Sequence, residues 1–526
     1  MDLNNCKYVD GAGVEHELTL EAPLLMGRRL ITTNADEITA DNVKDELNHA
    51  LMIHAWNAME EEYLYWYRRG YQPILNREKE IRPEINNKVV ENHAEEIVQF
   101  KNGYFLTQPA VYISRREDEA MAKKVKELNE YLYQSGKHVA DTKAIDWAHT
   151  VGVGAVFCEP RNDRRSPLKV YALDPRNSFV VYSSRPGNKP MFGVNIVQDS
   201  DDNIVFDVFS DKWYFKLRGG KTTDMHVEHP IEAIAYVEDS MRPNVLGRVP
   251  IVEYHYNLMN MSAFEAVIPL LDAINAVQSN RLDGIEQFIQ SLAIAVNCDF
   301  DDGVTANDIR KAGMIVLKSV GENRADFKVE SDQLNQSQTQ ILVNYLYQQV
   351  LTITGLPATT KGGTSTSDTG VAVLARDGWY QADNQARNTA DLFIESNRLF
   401  DDIFVEALRR IGFDIDTADF EIQIAHNETS NLLTKTQGAL NLKELGLAPE
   451  IVLSRSGVSN DPVADVAASK IYIEKAWGMN AEGELVPTRY ADSPEAQEEQ
   501  NSVNSGGKSD WVQGYYRNTQ TPDNRK

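Results

Sequence analysis

The sequence predicts a multidomain α+β protein in which long helices carry a small α+β insert and a strand-rich region lies between helical segments. Three observations point there. Apolar residues repeat at helical steps over residues 41–151 and 261–412, and switch to a period of two between about 150 and 258. Residues 298–335 have a short mixed pattern of their own, enclosed by helix on both sides. The chain has 526 residues, enough for several packed units.

Residues 1–40 show no sustained period and read as an irregular arm. Asp41 is placed to cap a helix that runs to about Arg69 and stops at Gly70. Its Leu47, Leu51, Met52, Ala55, Trp56, Met59, Tyr63, Leu64 and Trp66 form a wide apolar stripe, which reads as core packing. YQPILNREKEIRPEINN comes next as an extended segment broken by Pro73 and Pro83. A helix over 89–101 closes at Asn102-Gly103, and YFLTQPAVYIS reads as a strand. Residues 118–151 are helical again, with Val125, Leu128 and Leu132 in the first part and Ile145, Trp147 and Ala148 in the second. Eight strands come next between turn clusters: VGAVFCEP, PLKVYALDP, SFVVYSS, MFGVNIV, IVFDVFS, KWYFKLR, AIAYVED and IVEYHYN.

From 261 to 296 a helix is expected, with Leu271, Ile274, Leu282, Ile285, Ile289 and Leu292 near heptad spacing. The insert after it has an amphipathic turn at 306–311 and the strands MIVLKSV and DFKVES, so two helices flank a knob like a stalk with a tip. The second flanking helix, QILVNYLYQQVLTIT, stops at Gly355-Leu356-Pro357. Its Ile341, Leu342, Tyr345, Leu346, Val350 and Ile353 occupy almost every turn, so more than one face requires burial. ATTKGGTSTSD cannot sustain a helix, and Ser367 or Asp368 is placed to cap the next one. No proline interrupts 369–410, and a continuous helix there would be on the order of 60 Å long. Its first half, with Ala382, Ala386 and Ala390, reads as reaching into polar surroundings. Its second half has a core stripe of Phe393, Phe400, Phe404, Ala407, Leu408 and Ile411. FEIQIAH is a short strand, helical pieces span 429–476, and the stretch after Gly478 is compositionally disordered.

Composition excludes several classes. Net charge is −25, and tight nucleic-acid binders neutralise phosphates with basic patches, so this chain does not grip DNA. No run of eighteen apolar residues and no signal-peptide pattern occur, so no membrane partner is expected. Cys6, Cys158 and Cys298 lie far apart and read as structural thiols of a reducing compartment.

Chemical motifs fail on inspection. Gly152-Val-Gly-Ala lacks the third glycine of a dinucleotide fingerprint, and Lys361-Gly-Gly-Thr lacks phosphate-loop order. Gly363-Thr-Ser365-Thr-Ser367 misses the nucleophile elbow. Asp299, Asp301, Asp302 and Gly303 place glycine one residue early for a calcium loop, with Arg310 at the twelfth position. His226, Glu228 and His229 invert the zinc-protease order. No catalytic residue, metal or cofactor is expected, and the chain does not read as an enzyme.

Several strings resemble one family. Tyr67-Arg-Arg-Gly70-Tyr-Gln-Pro-Ile74, Asn86-Asn87-Lys88-Val-Val-Glu-Asn92, Ile97-Val98, Lys101-Asn102-Gly103-Tyr104-Phe105-Leu106-Thr107-Gln108-Pro109 and Leu173-Asp174-Pro175-Arg176-Asn177 are similar to portal proteins of tailed bacteriophages. The type is that of long non-contractile-tailed phages of Gram-positive hosts. The layout of helix, knob, helix, loop and long helix from 261 to 412 is similar too.

The resemblance implies a homo-oligomeric ring of about twelve subunits at a capsid vertex of the virion, assembled in the host cytoplasm. Double-stranded DNA would pass through its channel with weak contact during packaging and ejection. Its partners would be the terminase large subunit, head-completion and adaptor proteins, and the major capsid and scaffold proteins. It further implies a wing over 41–260, stem helices over 261–297 and 337–355, a clip over 298–336 and a tunnel loop over 356–368. The long helix and a wing return strand would fill 369–428, a helical crown 429–478 and a disordered tail 479–526.

Within that layout Thr359, Thr360, Lys361, Gly362, Gly363, Thr364 and Ser365 would face DNA. Lys311, Lys318, Glu322 and Arg324 would form the clip docking surface. An enzyme of unknown class and another virion structural protein remain as alternatives, although seven Trp and 22 Tyr argue against a scaffold.

Overall fold

The computed structural model describes residues 6–9, 15–18, 27–80, 83–106, 109–115, 119–163, 165–200, 203–221, 235–289, 292–296, 298–299, 318–319, 326–330, 336–357, 378–424, 432–459 and isolated positions up to 469. They fall into two compact units, Met1–Thr429 and Ser430–Lys526.

The first forty residues are more regular than their composition suggests. β1 (Cys6–Val9) and β2 (Glu15–Leu18) pair antiparallel, and β3 (Ile31–Thr33) is the edge of a six-stranded sheet. The N-cap position of α1 (Val43–Arg68) is Asn42 and not Asp41, and its side chain makes no bond into the helix. The Asn42 side chain accepts the Thr39 N–H at 2.8 Å, so a tight turn leads into the helix. The helix stops where expected. Gly70, at φ +88°, donates to the Tyr67 carbonyl while Tyr71 donates to that of Trp66, a bond pair that a left-handed residue makes available.

Pro73 opens a short 3-10 turn, Pro73–Asn76, where extended chain was expected. α2 (His93–Phe105) runs through Asn102-Gly103 instead of closing there. Tyr104 and Phe105 bury on its last turn, and Asn102 is held by His149 and Asp146. The strand after it therefore shrinks to β4 (Val111–Ser114). α3 (Glu119–Ser135) and α4 (Lys137–Val151) are separated by Gly136 at φ +79°.

The period-two region folds as expected into β5 (Val153–Pro160), β6 (Leu168–Leu173), β7 (Ser178–Ser183), β8 (Pro190–Gln198), β9 (Asn203–Ser210), β10 (Trp213–Lys221), β11 (Ala235–Pro243) and β12 (Ile251–His255). One sheet has the order β11-β10-β9-β8-β7-β3, antiparallel except at β3-β7, and a second has the order β12-β5-β6. Val43, Leu47 and Leu51 of α1 cover the larger sheet at Phe192, Phe206, Phe215 and Leu217.

α5 (Ile268–Ile289) ends earlier than the helix expected over 261–296. Leu292–Val296 is instead strand β13, because LAIAV finds an antiparallel ladder partner in Asp326–Glu330. β13, β14 (Cys298–Asp299), β15 (Lys318–Ser319) and β16 (Asp326–Glu330) make two ribbons, β13 with β16 and β14 with β15. The turn expected at 306–311 lies outside the described residues. α6 (Gln336–Thr354) stops at Gly355, φ +70°.

The continuous helix expected from Thr369 is not formed. Gly378, left-handed at φ +82°, begins α7 (Trp379–Arg410), about 48 Å long, and 369–377 lies outside the described residues. β17 (Phe420–Gln423) returns to pair with β4. The second unit holds α8 (Leu432–Glu444) and α9 (Pro449–Ser456), where Lys435 Nζ donates to the Gly457 carbonyl at 3.0 Å.

Phe393, Phe400, Phe404, Ala407 and Leu408 of α7 pack with α3, α4 and the smaller sheet, as the stripe predicts, whereas Ile411, just past the helix end, is exposed. The alanines of its first half are buried as well, contrary to expectation. Ala382 and Ala386 let α7 approach Tyr104 of α2 closely. On α1, Met52 and Trp66 face outward, while His54, Asn57, Glu60 and Glu61 are buried.

These buried polar groups of α1 have electrostatic consequences. Arg28 bonds Glu60 at 3.2 Å and Glu265 at 2.7 Å, tying the N-terminal segment to the entry of α5. Burial pushes the Glu61 carboxyl up from its ordinary 4.5 to about 8, against the opposing pull of Arg28. Folding thus takes up a proton at Glu61, and the stability this brings is lost as pH rises toward 8. Glu61→Gln, which cannot ionise, is expected to match the parent below about pH 4.5. It should exceed the parent by on the order of 2–4 kcal/mol at pH 8 in urea unfolding. A stability difference that does not change between pH 5 and pH 8 would refute this.

Candidate functional site

α5 is fastened by an unusual strap. Residues 85–92 are extended without a sheet partner, so their N–H groups need other acceptors. Asn87 N donates to Asp283 Oδ1 at 2.7 Å, Val89 N to Ser279 Oγ at 2.9 Å, and Glu91 N to Asn275 Oδ1 at 2.8 Å. Alternate residues of an extended chain thus meet side chains four apart on a helix, because two strand residues and four helix residues both span about 6–7 Å. Asp283 also receives Lys79 and Arg77; desolvation pushes its carboxyl up, but the hydrogen bonds from Lys79 and from the Asn87 backbone and side chain outweigh it and hold the group below the usual range. The string Asn86–Asn92 in the resemblance is thereby explained as a clamp.

Tyr67 adds its hydroxyl to Asp272 at 2.9 Å and stacks on Phe264. Leu271 and Ile274 of α5 then pack with Val343, Val350 and Leu351 of α6 and with Ile97 and Val98 of α2. One face of each stalk helix is therefore fixed to the body.

Their other face is bare. Leu282 and Ile285 of α5 and Ile341, Leu342, Tyr345 and Ile353 of α6 remain open, with Ile341 68 % and Tyr345 60 % exposed. The 19 residues of α6 include no charged side chain, although a quarter of the chain is charged. Surface helices of a monomer normally turn charge to water. An uncharged helix with apolar residues outward suits contact with another protein surface.

The loop expected to face DNA is framed by its roots. α6 closes at Gly355 with Leu356 N donating to the Leu351 carbonyl at 2.9 Å, and α7 opens at Gly378. A Cβ placed on Gly378 would lie 3.9 Å from Pro357 Cα, so the chain leaves and re-enters at nearly one point. Thr359, Thr360, Lys361, Gly362, Gly363, Thr364 and Ser365 lie outside the described residues. Of the docking set, Lys318 sits in β15 opposite Asp299, while Lys311, Glu322 and Arg324 lie outside the described residues.

Sequence reasoning missed Asn275, Ser279 and Asp283, and also Lys101 and Gln385 at the loop root. Asn275, Ser279 and Asp283 recur every fourth position, but Gln278, Asn280, Arg281 and Glu286 lie among them, so the spacing does not stand out in the sequence. Among the described residues no cluster of His, Cys, Asp or Glu is arranged to hold a metal, and no helix is long and apolar enough to cross a membrane.

A family model described as phage portal protein, SPP1 Gp6-like, matches residues 50–474. No curated protein matches the chain.

Proposed function

Because the chain belongs to the SPP1 Gp6-like family of phage portal proteins, we propose that about twelve copies close into a ring at one capsid vertex. DNA enters and leaves through its channel. The bare face of α5 and α6 carries this reading, since a closed ring gives every subunit a neighbour on which to bury it. In the ring, 41–260 with the C-terminal half of α7 form the wing, α5 and α6 the stem, and 298–336 the clip. The segment between Pro357 and Gly378 contains the tunnel loop, and α8 and α9 belong to the crown.

The clip docks the terminase large subunit and the head-completion or adaptor proteins, with Lys311, Lys318, Glu322 and Arg324 on its surface. Capsid and scaffold proteins surround the ring. A net charge of −25 per chain suits a conduit through which DNA slides without sticking.

Within 358–368 Lys361 is the one cation, so the ring places one positive charge per subunit at the constriction among hydroxyls that touch phosphates weakly. Lys361→Glu is expected to leave the ring mass at about 0.7 MDa, twelve or so copies of the 59.2 kDa chain, while lowering the DNA packaged or retained. Packaging and retention at the parental level would remove Lys361 from the DNA path.

A further inference from the structure

Lys101 is an ammonium in an unusual place. It projects from α2, is 9 % exposed, and makes its one hydrogen bond among the described residues to Gln385 Oε1 at 2.9 Å. The face of Tyr256 lies 5.4 Å from Nζ. Burial lowers its pKa to about 8, which still leaves it charged at neutral pH. A buried cation with a single oxygen acceptor depends heavily on that acceptor, because an unsatisfied buried charge is costly.

The acceptor is tied to the loop root. A Cβ on Gly355 would collide with Nε2 and Cδ of Gln385, so the Gln385 amide lies directly against the glycine backbone. The φ of +70° favours glycine at 355, and a side chain there would have to push the Gln385 amide aside. Gln381 adds a bond from Nε2 to the Thr352 carbonyl at 3.4 Å, one turn earlier on α7. Beneath Gln385 a cavity lined by Lys101, His149, Tyr256, Gly355 and Thr389 has about 20 Å³ of free volume, room for one water.

We propose that Lys101 and Gln385 form a latch that holds the end of α6 and the start of α7 together on α2, and so positions both roots of the segment between Pro357 and Gly378. The same Oε1 accepts from Lys101 and, with Cδ and Nε2, lies against Gly355, so moving the Gln385 amide away strips Lys101 and uncovers Gly355 in the same step. The latch stands on these contacts alone. Its consequence for DNA passage rests on the function proposed above.

Hydrogen–deuterium exchange of the full chain at residues 350–357 and 378–389 tests it. Gln385→Met keeps the volume and removes the acceptor, and exchange there is expected to rise about tenfold. Gln385→Glu gives Lys101 a carboxylate, and exchange is expected to fall several-fold below the parent. A packing role alone predicts the same direction for both. Lys101→Met is expected to match Gln385→Met, and the double substitution to exceed neither.

Shifts of the same sign in the two Gln385 variants, no shift in either, or additive effects in the double variant would overturn the latch. Packaging assays form a separate arm. If Gln385→Met loosens both roots yet packages DNA at the parental rate, the latch stands and the DNA-facing role of the loop falls.

Discussion

Replacing Ile341 and Tyr345 together by aspartate is expected to hold the protein as a single 59.2 kDa chain where the parent forms a particle of about 0.7 MDa. Both side chains lie mostly in solvent on α6, so the fold itself loses little; surface changes of this kind stay within about 0.5 kcal/mol. In the proposed ring the same positions would be seated against a neighbour. Each subunit would then bury two new carboxylates in a seam to which α6 contributes no cation, at a cost of several kcal/mol per interface. Mass photometry reads the assembly state and circular dichroism the fold. A variant that keeps the parental mass would show that the bare face lies outside the subunit contact.

Lys137→Ala is expected to destabilise the chain by about 3–5 kcal/mol, since breaking a buried ion pair leaves a bare charge inside. Lys137 Nζ contacts Asp141 at 2.5 and 2.6 Å, Asn397 Oδ1 at 2.7 Å and the Tyr254 hydroxyl at 3.2 Å, and it lies 4.4 Å from the Phe400 ring centre. Asn397 Nδ2 passes the network on to the Tyr112 hydroxyl at 2.7 Å and to Asp401 at 3.0 Å. α4, β12 and α7 therefore share one polar knot within an apolar core. Replacing both charges, as in Lys137→Met with Asp141→Leu, should recover most of the loss, because well-packed apolar groups can replace a buried pair at little cost. Equal denaturant midpoints for Lys137→Ala and the parent would contradict this account of how the long helix is fixed.

Much of this architecture is legible in the sequence. The eight strands between Val153 and His255 show because alternation and turn clusters are local signals. The stops at Gly70 and Gly355 show for the same reason, each glycine being left-handed, whereas the break at Gly136 goes unread because apolar residues keep a helical step on both sides of it. LAIAV misleads because a short apolar run fits helix and strand equally, and only its pairing with DFKVE decides. Gly378 escapes notice because the absence of proline says nothing about a glycine turn.

The knot at Lys137, Asn397 and Asp401 and the strap acceptors Asn275, Ser279 and Asp283 are hidden for a different reason. In a periodicity plot a buried polar stripe looks like a wet face. Of the site, the excess apolar surface of α6 is visible in the sequence as residues on more than one face. The structure shows that a single chain buries only one of those faces.

Single-particle imaging of the purified full-length chain tests ring formation most directly. The account predicts closed rings of about twelve subunits with a central hole, in which neighbouring subunits meet along Ile341, Leu342 and Tyr345. A uniform population of monomers or dimers without a channel, the α6 face still open to solvent, would contradict it.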